Sequence, residues 1–380
     1  MSPTPVTFTS PTAPATYTWE ATDEEVAARY HLDPRTIIRF DLNTSPTPPA
    51  LARQLLAAGE FDAPLSEYPP SDYRRLVAAA AARYGVGTDE ILVGAGADEI
   101  LDLVAKAFLA EGHRAVIPTP SYAMYRVCTE QRGASVVTVP RRPASEDWAL
   151  DPVAVRGAAH EAAVVWLCTP NNPTALAEPD GRIEQLLEGL AADAATDDRP
   201  APIVVIDEAY AEFVGRSLVG LRHAYPRLIV VRTISKAYAL AGLRVGFAIA
   251  RPEIIGRINP YRPPGSVSVV SVTIATEALL DDTILEANLA RVVRERGRLS
   301  DALRSAGWSV GPSVTNFILV DFGKPDRAAA TAEGLLRRGL VPRTFGAGHP
   351  LAAYLRLTVR ATDENDRLVA AAQAIEKESA

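Results

Sequence analysis

Six short runs rich in Val and Ile, apolar at successive positions, constrain the fold of this chain more than any other feature. The runs are RAVIP (114–118), SVVTV (135–139), AAVVWL (162–167), PIVVID (202–207), LIVVR (228–232) and VGFAIA (245–250). A strand that is apolar on both faces must be covered on both sides, which is typical of parallel or mixed sheets. Since helical patterns separate the runs, the sequence predicts an α/β lobe with helices flanking such a sheet.

Two segments ahead of these strands have the periodicity of amphipathic helices. SDYRRLVAAAAARYG (71–85) predicts a helix with Ser71 as N-cap and an end at Gly85. ADEILDLVAKAFLAEG (97–112) has apolar residues on one helical face and predicts a helix that ends at Gly112.

Beyond about residue 270 the pattern changes to long helices with few strands. The order is a charged helix (286–307), the strand NFILVDF (316–322), a helix (326–338), the segments GLVPRTF (339–345) and YLRLTV (354–359), and a final helix from about residue 362. So few strands cannot build a second large sheet, and the sequence predicts a smaller α+β lobe at the C-terminus.

Composition and charge exclude several classes of function. The 380 residues are 48% hydrophobic and 22% charged, and the net charge of −7 offers no basic surface to nucleic acid or acidic membranes. No apolar run approaches the roughly 20 residues that span a bilayer. The two cysteines, Cys128 and Cys168, and five histidines have no metal-ligand spacing. We therefore expect a cytoplasmic protein without a metal, and a flexible Ser/Thr/Pro-rich arm over residues 1–20 that is not a signal peptide.

Polar side chains follow three of the apolar runs, at the strand ends where open α/β sheets bind ligands. They are Asn171 and Asn172, then Asp207 and Tyr210, then Thr233, Ser235 and Lys236. A Gly-rich turn, VGAGADE (93–99), leads into a predicted helix start. Each group also has a plainer interpretation. The turn lacks the third Gly of a dinucleotide-binding motif, Asp207 could be a solvated strand end, and Arg244 could be a surface arginine.

One cofactor requires the whole set. Pyridoxal 5′-phosphate needs a lysine amine for an imine with its aldehyde and a carboxylate at its pyridine nitrogen. Its phosphate suits a helix N-terminus, hydroxyl groups and an arginine. Lys236, Asp207 and Arg244, together with the hydroxyl groups and the Gly-rich turn, meet these requirements in turn.

The chain resembles the fold-type I pyridoxal-phosphate enzymes of the class I and II aminotransferases, and among them histidinol-phosphate aminotransferases. The motifs that carry the resemblance are SEYPPSDYRRL, VGAGADEILDL, PTPSYAMYR, TPNNPT, VIDEAYAEF, RTISKAYALAGLRVG, TNFILV, GLVPR and YLRLTV, in that order. The resemblance implies a large lobe with a mixed, mostly parallel seven-stranded sheet flanked by helices, a smaller α+β C-terminal lobe, and a homodimer. The predicted division is a segment packing with the small lobe (21–45), a large cofactor-binding lobe (46–262) and a small lobe (263–380).

The resemblance also implies roles for individual residues. Lys236 would form the Schiff base and move the Cα proton, Asp207 would pair with the pyridinium nitrogen, and Tyr210 would bind the phenolate oxygen. The remaining cofactor contacts would come from Gly96, Ala97, Asp98, Glu99, Tyr122, Asn172, Thr233, Ser235 and Arg244, and from Tyr68 of the partner subunit. The substrate would meet Asn43 and the arginine pair Arg343 and Arg356, for which a solvated strand-end position is the alternative.

By the same resemblance, the reaction would be a ping-pong transamination from histidinol phosphate, the default donor, to 2-oxoglutarate. Fold and cofactor do not fix which Cα bond breaks. A decarboxylase or lyase of the threonine-phosphate decarboxylase type therefore stays an alternative, as does an aminotransferase for another amino acid in specialised metabolism. A cofactor-sensing regulator would need a DNA-binding domain, for which the arm is too short and not basic.

Several positions depart from the family's usual pattern, mostly on the substrate side. Ala95 stands where Asn is common, and Ala175 and Arg360 stand where Gly is usual. Arg360 is expected to add a charge near the substrate. The usual N-terminal segment PY-PG is not evident, although Asn43 remains in LNTSPTPP.

Overall fold

The computed structural model describes residues 15–379, so most of the predicted arm, residues 1–14, lies outside the described part. The helices are α1 (Asp23–Tyr30), α2 (Ala50–Ala58), α3 (Arg74–Tyr84), α4 (Gly96–Phe108), α5 (Met124–Glu130), α6 (Pro152–Ala158), α7 (Arg182–Thr196), α8 (Pro252–Ile258), α9 (Val269–Leu280), α10 (Asp282–Ser305), α11 (Pro325–Leu336) and α12 (Thr362–Ser379). The strands are β1 (Ile38–Arg39), β2 (Ile91–Gly94), β3 (Arg114–Thr119), β4 (Ser135–Pro140), β5 (Val164–Cys168), β6 (Ile203–Asp207), β7 (Leu228–Thr233), β8 (Gly246–Ala250), β9 (Ser309–Val310), β10 (Phe317–Asp321), β11 (Leu340–Val341) and β12 (Tyr354–Thr358).

The large lobe is built on a seven-stranded sheet in the order β2-β8-β7-β6-β5-β3-β4. β8 runs antiparallel to both of its neighbours, and the remaining pairs are parallel. This confirms the predicted mixed, mostly parallel sheet. The six apolar runs form six of its strands. The seventh, β2, has only four residues and gave no separate apolar signal.

Both faces of this sheet are covered except at the edge strand β4, which explains why the other strands are continuously apolar. In β6, Val204 and Ile206 belong to one core cluster, while Ile203 and Val205 belong to the cluster on the other face. α3, α7 and α9 contribute to the first cluster, and α4, α5 and α8 contribute to the second. The alternation of strand side chains therefore feeds two separate cores.

The small lobe has a three-stranded antiparallel sheet in the order β12-β10-β9, which shares a core with α10, α11 and α12. The N-terminal β1 pairs in parallel with β11, so the segment after α1 is tied to this lobe by backbone hydrogen bonds. α9 lies beyond the predicted boundary at residue 262 and packs with α2 and α3 on the large sheet. The division at residue 262 stays a prediction.

The structure corrects two helix boundaries. α3 ends at Gly85 as predicted, but it begins at Arg74 and its N-cap is Tyr73, so the assignment of Ser71 is wrong. Tyr73 is buried and its phenol accepts the backbone N–H of Val267, so tertiary packing sets this helix start. α4 ends at Phe108, before Gly112, because the next residue is buried and extended. Within residues 15–379 no helix has the length and apolarity needed to cross a membrane.

Candidate active site

A cavity of about 480 Å³ lies at the carboxyl ends of β5, β6 and β7 and is closed on another side by residues of the small lobe. Most of the predicted site residues line it: Asn43, Ala97, Asp98, Tyr122, Asn172, Asp207, Tyr210, Thr233, Ser235, Lys236, Arg244, Arg343 and Arg356. Parallel strands end at the same edge, so residues far apart in the sequence meet there.

Lys236 follows β7 and projects its ε-amine into this cavity. Its Nζ lies 3.4 Å from the carbonyl oxygen of Leu42 and 5.9 Å from the centre of the Tyr210 ring. Burial, and secondly the positive charge of Arg356, lower the pKa of Lys236 to about 8. A substantial fraction of the amine is therefore neutral near physiological pH, as a nucleophile or a base requires.

Asp207 is the last residue of β6 and is only 3% exposed. The phenol of Tyr125 donates to its Oδ2 at 2.8 Å, and the backbone N–H of Ala209 donates to its Oδ1 at 3.0 Å. Burial raises the pKa of Asp207 to about 6, although these two hydrogen bonds favour the carboxylate. The group is thus a buried anion at neutral pH with a fixed orientation.

Two glycines allow the turn at the start of α4 to lie close to β8. Gly96 has a φ of +83°, and a Cβ on Gly246 would lie 2.5 Å from the backbone nitrogen of Ala97. Glu99, predicted as a cofactor ligand, does not line the cavity. Its carboxylate accepts the N–H of Ala95 and the hydroxyl of Ser266, and so fixes the turn.

Asp98, in the first turn of α4, contacts two side chains of the cavity. Its Oδ2 lies 3.1 Å from Nη2 of Arg244, and its Oδ1 accepts the phenol of Tyr122 at 3.0 Å. On the adjacent wall, the hydroxyl of Thr233 donates to Ser235 at 2.8 Å. The region therefore combines a guanidinium, two hydroxyl groups and a helix N-terminus, which together suit a phosphate.

The two predicted substrate arginines are neighbours. Arg343 and Arg356 form an antiparallel backbone bridge, with hydrogen bonds of 3.0 and 3.1 Å between their N–H and C=O groups. Arg356 is 6% exposed, and its Nη1 donates to Oδ1 of Asn172 at 2.6 Å. Its Nε is buried without a partner among the described residues. A solvated strand-end position is therefore excluded for Arg356.

Asn43 and Tyr210 form a contact between the N-terminal segment and the large lobe. The amide of Asn43 donates to the phenol oxygen of Tyr210 at 3.1 Å. Asn43 is itself held by Asn316 and Thr358, which bind its backbone oxygen and nitrogen at 2.9 Å. Burial raises the pKa of Tyr210, so its phenol stays protonated and able to donate a hydrogen bond.

Three predicted positions lie outside the cavity lining. Gly96 and Glu99 shape the adjoining turn, and Tyr68 is 90% exposed on the surface, beside Leu65 in a separate depression. The expectation for Arg360 is wrong. Its guanidinium donates to Glu364 at 2.8 Å and to the carbonyl of Arg39 at 3.1 Å, and it does not line the cavity.

Sequence reasoning missed other residues of the site. Tyr17 and Trp19 line the cavity mouth, although residues 1–20 gave only the compositional signal of an arm. Tyr125 binds Asp207 on the side away from the cavity. Its position in the motif PTPSYAMYR, three residues after Tyr122, was the one sequence signal that could have identified it. Cys168 lines the cavity floor, and burial raises the pKa of its thiol to about 12. Residues 15–379 hold no cluster of three or more His, Cys, Asp or Glu that could bind a metal ion.

Residues 38–375 match the family model described as aminotransferase class I and II. The chain is 35% identical over 344 residues to a histidinol-phosphate aminotransferase of Symbiobacterium thermophilum, covering 89% of this chain and 90% of the relative. A histidinol-phosphate aminotransferase of Thermococcus gammatolerans is also 35% identical, covering 89% and 92%.

Solved structures agree with this assignment. The histidinol-phosphate aminotransferase of Sinorhizobium meliloti, in complex with pyridoxal-5′-phosphate, aligns with a TM-score of 0.84 at 25% identity, covering 99% of this chain and all of that one. An L-threonine-O-3-phosphate decarboxylase of Porphyromonas gingivalis shares the fold, with a TM-score of 0.71 at 22% identity, 90% coverage of this chain and 100% of that one. The match over most of the sequence and the agreement in fold show that the chain belongs to the class I and II aminotransferases.

Proposed function

We propose that this protein is a pyridoxal-phosphate-dependent aminotransferase that moves an amino group from an anion-bearing donor to 2-oxoglutarate by a ping-pong mechanism. The observation that carries the proposal is the presence, in one cavity, of a lysine amine with a pKa of about 8 and a buried carboxylate. Paired arginines in the same cavity supply an anion site for the donor.

The residues present fit the cofactor. Lys236 would bind its aldehyde carbon, and Asp207 would face the pyridine nitrogen. The phosphate would be held by the N-terminus of α4 and by Thr233, Ser235 and Arg244, while Tyr122, Asn172 and Tyr210 would contact the ring and its phenolic oxygen. The closeness of β8 to the turn before α4, possible only with glycine at 246, supports this phosphate site.

When bound, the cofactor supplies an electron-accepting ring that makes the Cα–H bond of the donor labile. The chain supplies the remaining parts. Lys236, as a neutral amine, takes the Cα proton and returns it, which suits a base whose pKa lies close to the working pH. Arg343 and Arg356 hold the donor's anionic group and so orient the Cα–H bond. Asp207 stays ionised above its pKa of about 6 and favours a positive charge next to it.

Relatives named histidinol-phosphate aminotransferases make histidinol phosphate the default donor to test. The test is a panel of amine donors offered with 2-oxoglutarate to the cofactor-loaded protein, with glutamate as the product measured. We expect glutamate with at least one donor and none with Lys236→Ala. Release of CO₂ without glutamate would instead assign the protein to the decarboxylase alternative, whose fold is shared.

The homodimer and the cytoplasmic location are also proposed. The support for a dimer is that Tyr68 and Leu65 are 90% and 69% exposed on the same surface region. In the dimer, Tyr68 would reach the cofactor phosphate of the partner. Light scattering gives the mass in solution, and Tyr68→Phe should weaken cofactor binding if the phenol completes the site. An unchanged cofactor affinity would remove this role from Tyr68.

A further inference from the structure

The segment formed by residues 15–20 runs along the mouth of the active-site cavity and contacts both lobes. The ring of Tyr17 lies edge-on to Tyr122 of the large lobe, with 6.2 Å between the ring centres. On the small-lobe side, the carbonyl oxygen of Thr18 accepts a hydrogen bond of 2.8 Å from Nη1 of Arg343. The segment therefore forms part of the wall next to the substrate arginines.

Glu20 places a fixed negative charge beside one of these arginines. Its Oε1 accepts the backbone N–H and the hydroxyl of Thr344 at 2.8 and 2.9 Å, which holds the carboxylate in place. The same oxygen lies 3.7 Å from Nη1 of Arg343, and the two side chains are 18% and 17% exposed. A partly buried pair at this distance is screened far less than one on the open surface.

The net charge around Arg343 and Arg356 follows from the charged side chains next to them. Arg343 and Arg356 are positive and Glu20 is negative. Asp41 is paired with Arg39, whose Nη2 lies 2.6 Å from its Oδ2 and whose Nη1 lies 3.2 Å from Oδ1 of Asp23. Since burial and the charge of Arg343 both lower the pKa of His349, this neighbour adds no positive charge at neutral pH. Glu20 therefore offsets one of the two arginine charges, and the site carries at most about one positive unit.

We propose, on the basis of the function proposed above, that Glu20 makes Arg343 and Arg356 select a donor that presents a carboxylate over one that presents a phosphate monoester. A carboxylate carries one negative charge and balances the site. A phosphate monoester carries about −1.5 to −2 at pH 7 and would leave negative charge facing Glu20. Glu20 acts as a specificity-determining residue.

A matched pair of ligands tests the proposal without turnover. Imidazolepropionate and imidazolylpropyl phosphate share a ring, lack the reactive amine and differ in their anion. Calorimetry on the cofactor-loaded protein should show at least about tenfold tighter binding of the carboxylate, since facing like charges are strongly unfavourable. Glu20→Gln keeps the shape and the oxygen that binds Thr344. It should shift the affinity ratio toward the phosphate by about tenfold.

The control is Glu24→Gln, which makes the same change of charge on the exposed face of α1 and should leave the ratio unchanged. A merely structural role of Glu20 would weaken both ligands equally. The proposal is overturned if wild type binds the phosphate more tightly, or if Glu20→Gln leaves the ratio within about twofold. Turnover of histidine and histidinol phosphate tests the proposed function separately. If no donor in the panel yields glutamate, that function fails, while the binding ratio still reports on Glu20.

Discussion

The phenol of Tyr125 donates a hydrogen bond of 2.8 Å to Oδ2 of Asp207, behind the candidate cofactor site. The Tyr125 ring is fully buried and stacks on Trp166, with 5.6 Å between the ring centres and 2° between the planes. The backbone N–H of Ala209 binds the other carboxylate oxygen at 3.0 Å. Two donors thus fix the orientation of the carboxylate and counteract the effect of burial on its pKa.

Replacing Tyr125 with Phe removes one of these donors and should raise the pKa of Asp207 above its value of about 6. A hydrogen bond to a charged group contributes about 1.5–3 kcal/mol, which corresponds to roughly one to two pKa units. The dissociation constant of the cofactor, measured at a series of pH values, should therefore show that the increase in affinity with pH occurs at a higher pH in the variant than in wild type. Tyr84→Phe is the control, because the phenol of Tyr84 is buried without a hydrogen-bond partner among the described residues. An unshifted pH profile in Tyr125→Phe would contradict the assignment.

Asp207→Asn should make the cofactor-free protein more stable at neutral pH while slowing transamination severely. The folded-state pKa of about 6 lies above the ordinary 3.8, so this group's contribution to stability is lost as the pH rises from about 4 to 6. Asparagine carries no charge to desolvate. We expect the free energy of unfolding at pH 7 to increase by about 1–3 kcal/mol, measured in urea. The difference in unfolding free energy between the variant and wild type should shrink toward pH 4, where Asp207 is protonated in both the folded and the unfolded wild-type protein. A difference of the same size at pH 4 and pH 7 would show that Asp207 is not the titrating group.

Lys236 should react with pyridoxal phosphate at a lower pH than other lysines. Because the pKa of Lys236 is lowered to about 8, the rate at which the cofactor-free protein captures the cofactor should increase with pH and reach half of its maximum near pH 8. Borohydride trapping followed by peptide mapping measures this rate for each lysine. Lys106, which is paired with Asp102 at 2.7 Å on the surface, is the internal comparison and should stay unlabelled at pH 8. Equal labelling of both lysines would contradict the assignment of Lys236 as the lysine that binds the cofactor.

Gly246→Ala should damage the turn that precedes α4. The added methyl group would lie 2.5 Å from the backbone of Gly96 and Ala97, so the turn would have to move away from β8. We expect a loss of about 1–3 kcal/mol in unfolding free energy and weaker binding of pyridoxal phosphate. Gly256→Ala, on α8 with open space around it, is the control and should keep both properties. Wild-type cofactor affinity in Gly246→Ala would exclude this turn from the phosphate site.

The local sequence was sufficient for the sheet and for bringing the strand-end residues of the candidate site to one cavity. Strands covered on both faces are apolar at successive positions, so five strands of the large sheet were recognisable in this way, and the Val-rich edge strand β4 was recognisable as well. Since parallel strands end at one edge, the residues that follow them were expected to meet, and Asn172, Asp207 and Lys236 line one cavity. The weaker cases were those without such a signal, such as the four-residue β2.

Tertiary packing decided the rest. The start of α3 depends on buried Tyr73, which overrides the local N-cap preference of Ser71. Arg360 was expected near the substrate, but Glu364 and a backbone carbonyl hold it elsewhere.

The sequence by itself determined the α/β fold and the chemistry available at the strand ends, because both depend on short-range patterns that one stretch of chain carries. Only the tertiary structure decided which side chains modify that chemistry. Tyr125 and Asp207 are 82 positions apart, and Glu20 and Thr344 are 324 positions apart. No local pattern encodes such pairs, yet hydrogen bonds and charges act over a few ångströms of space, whatever the separation along the chain.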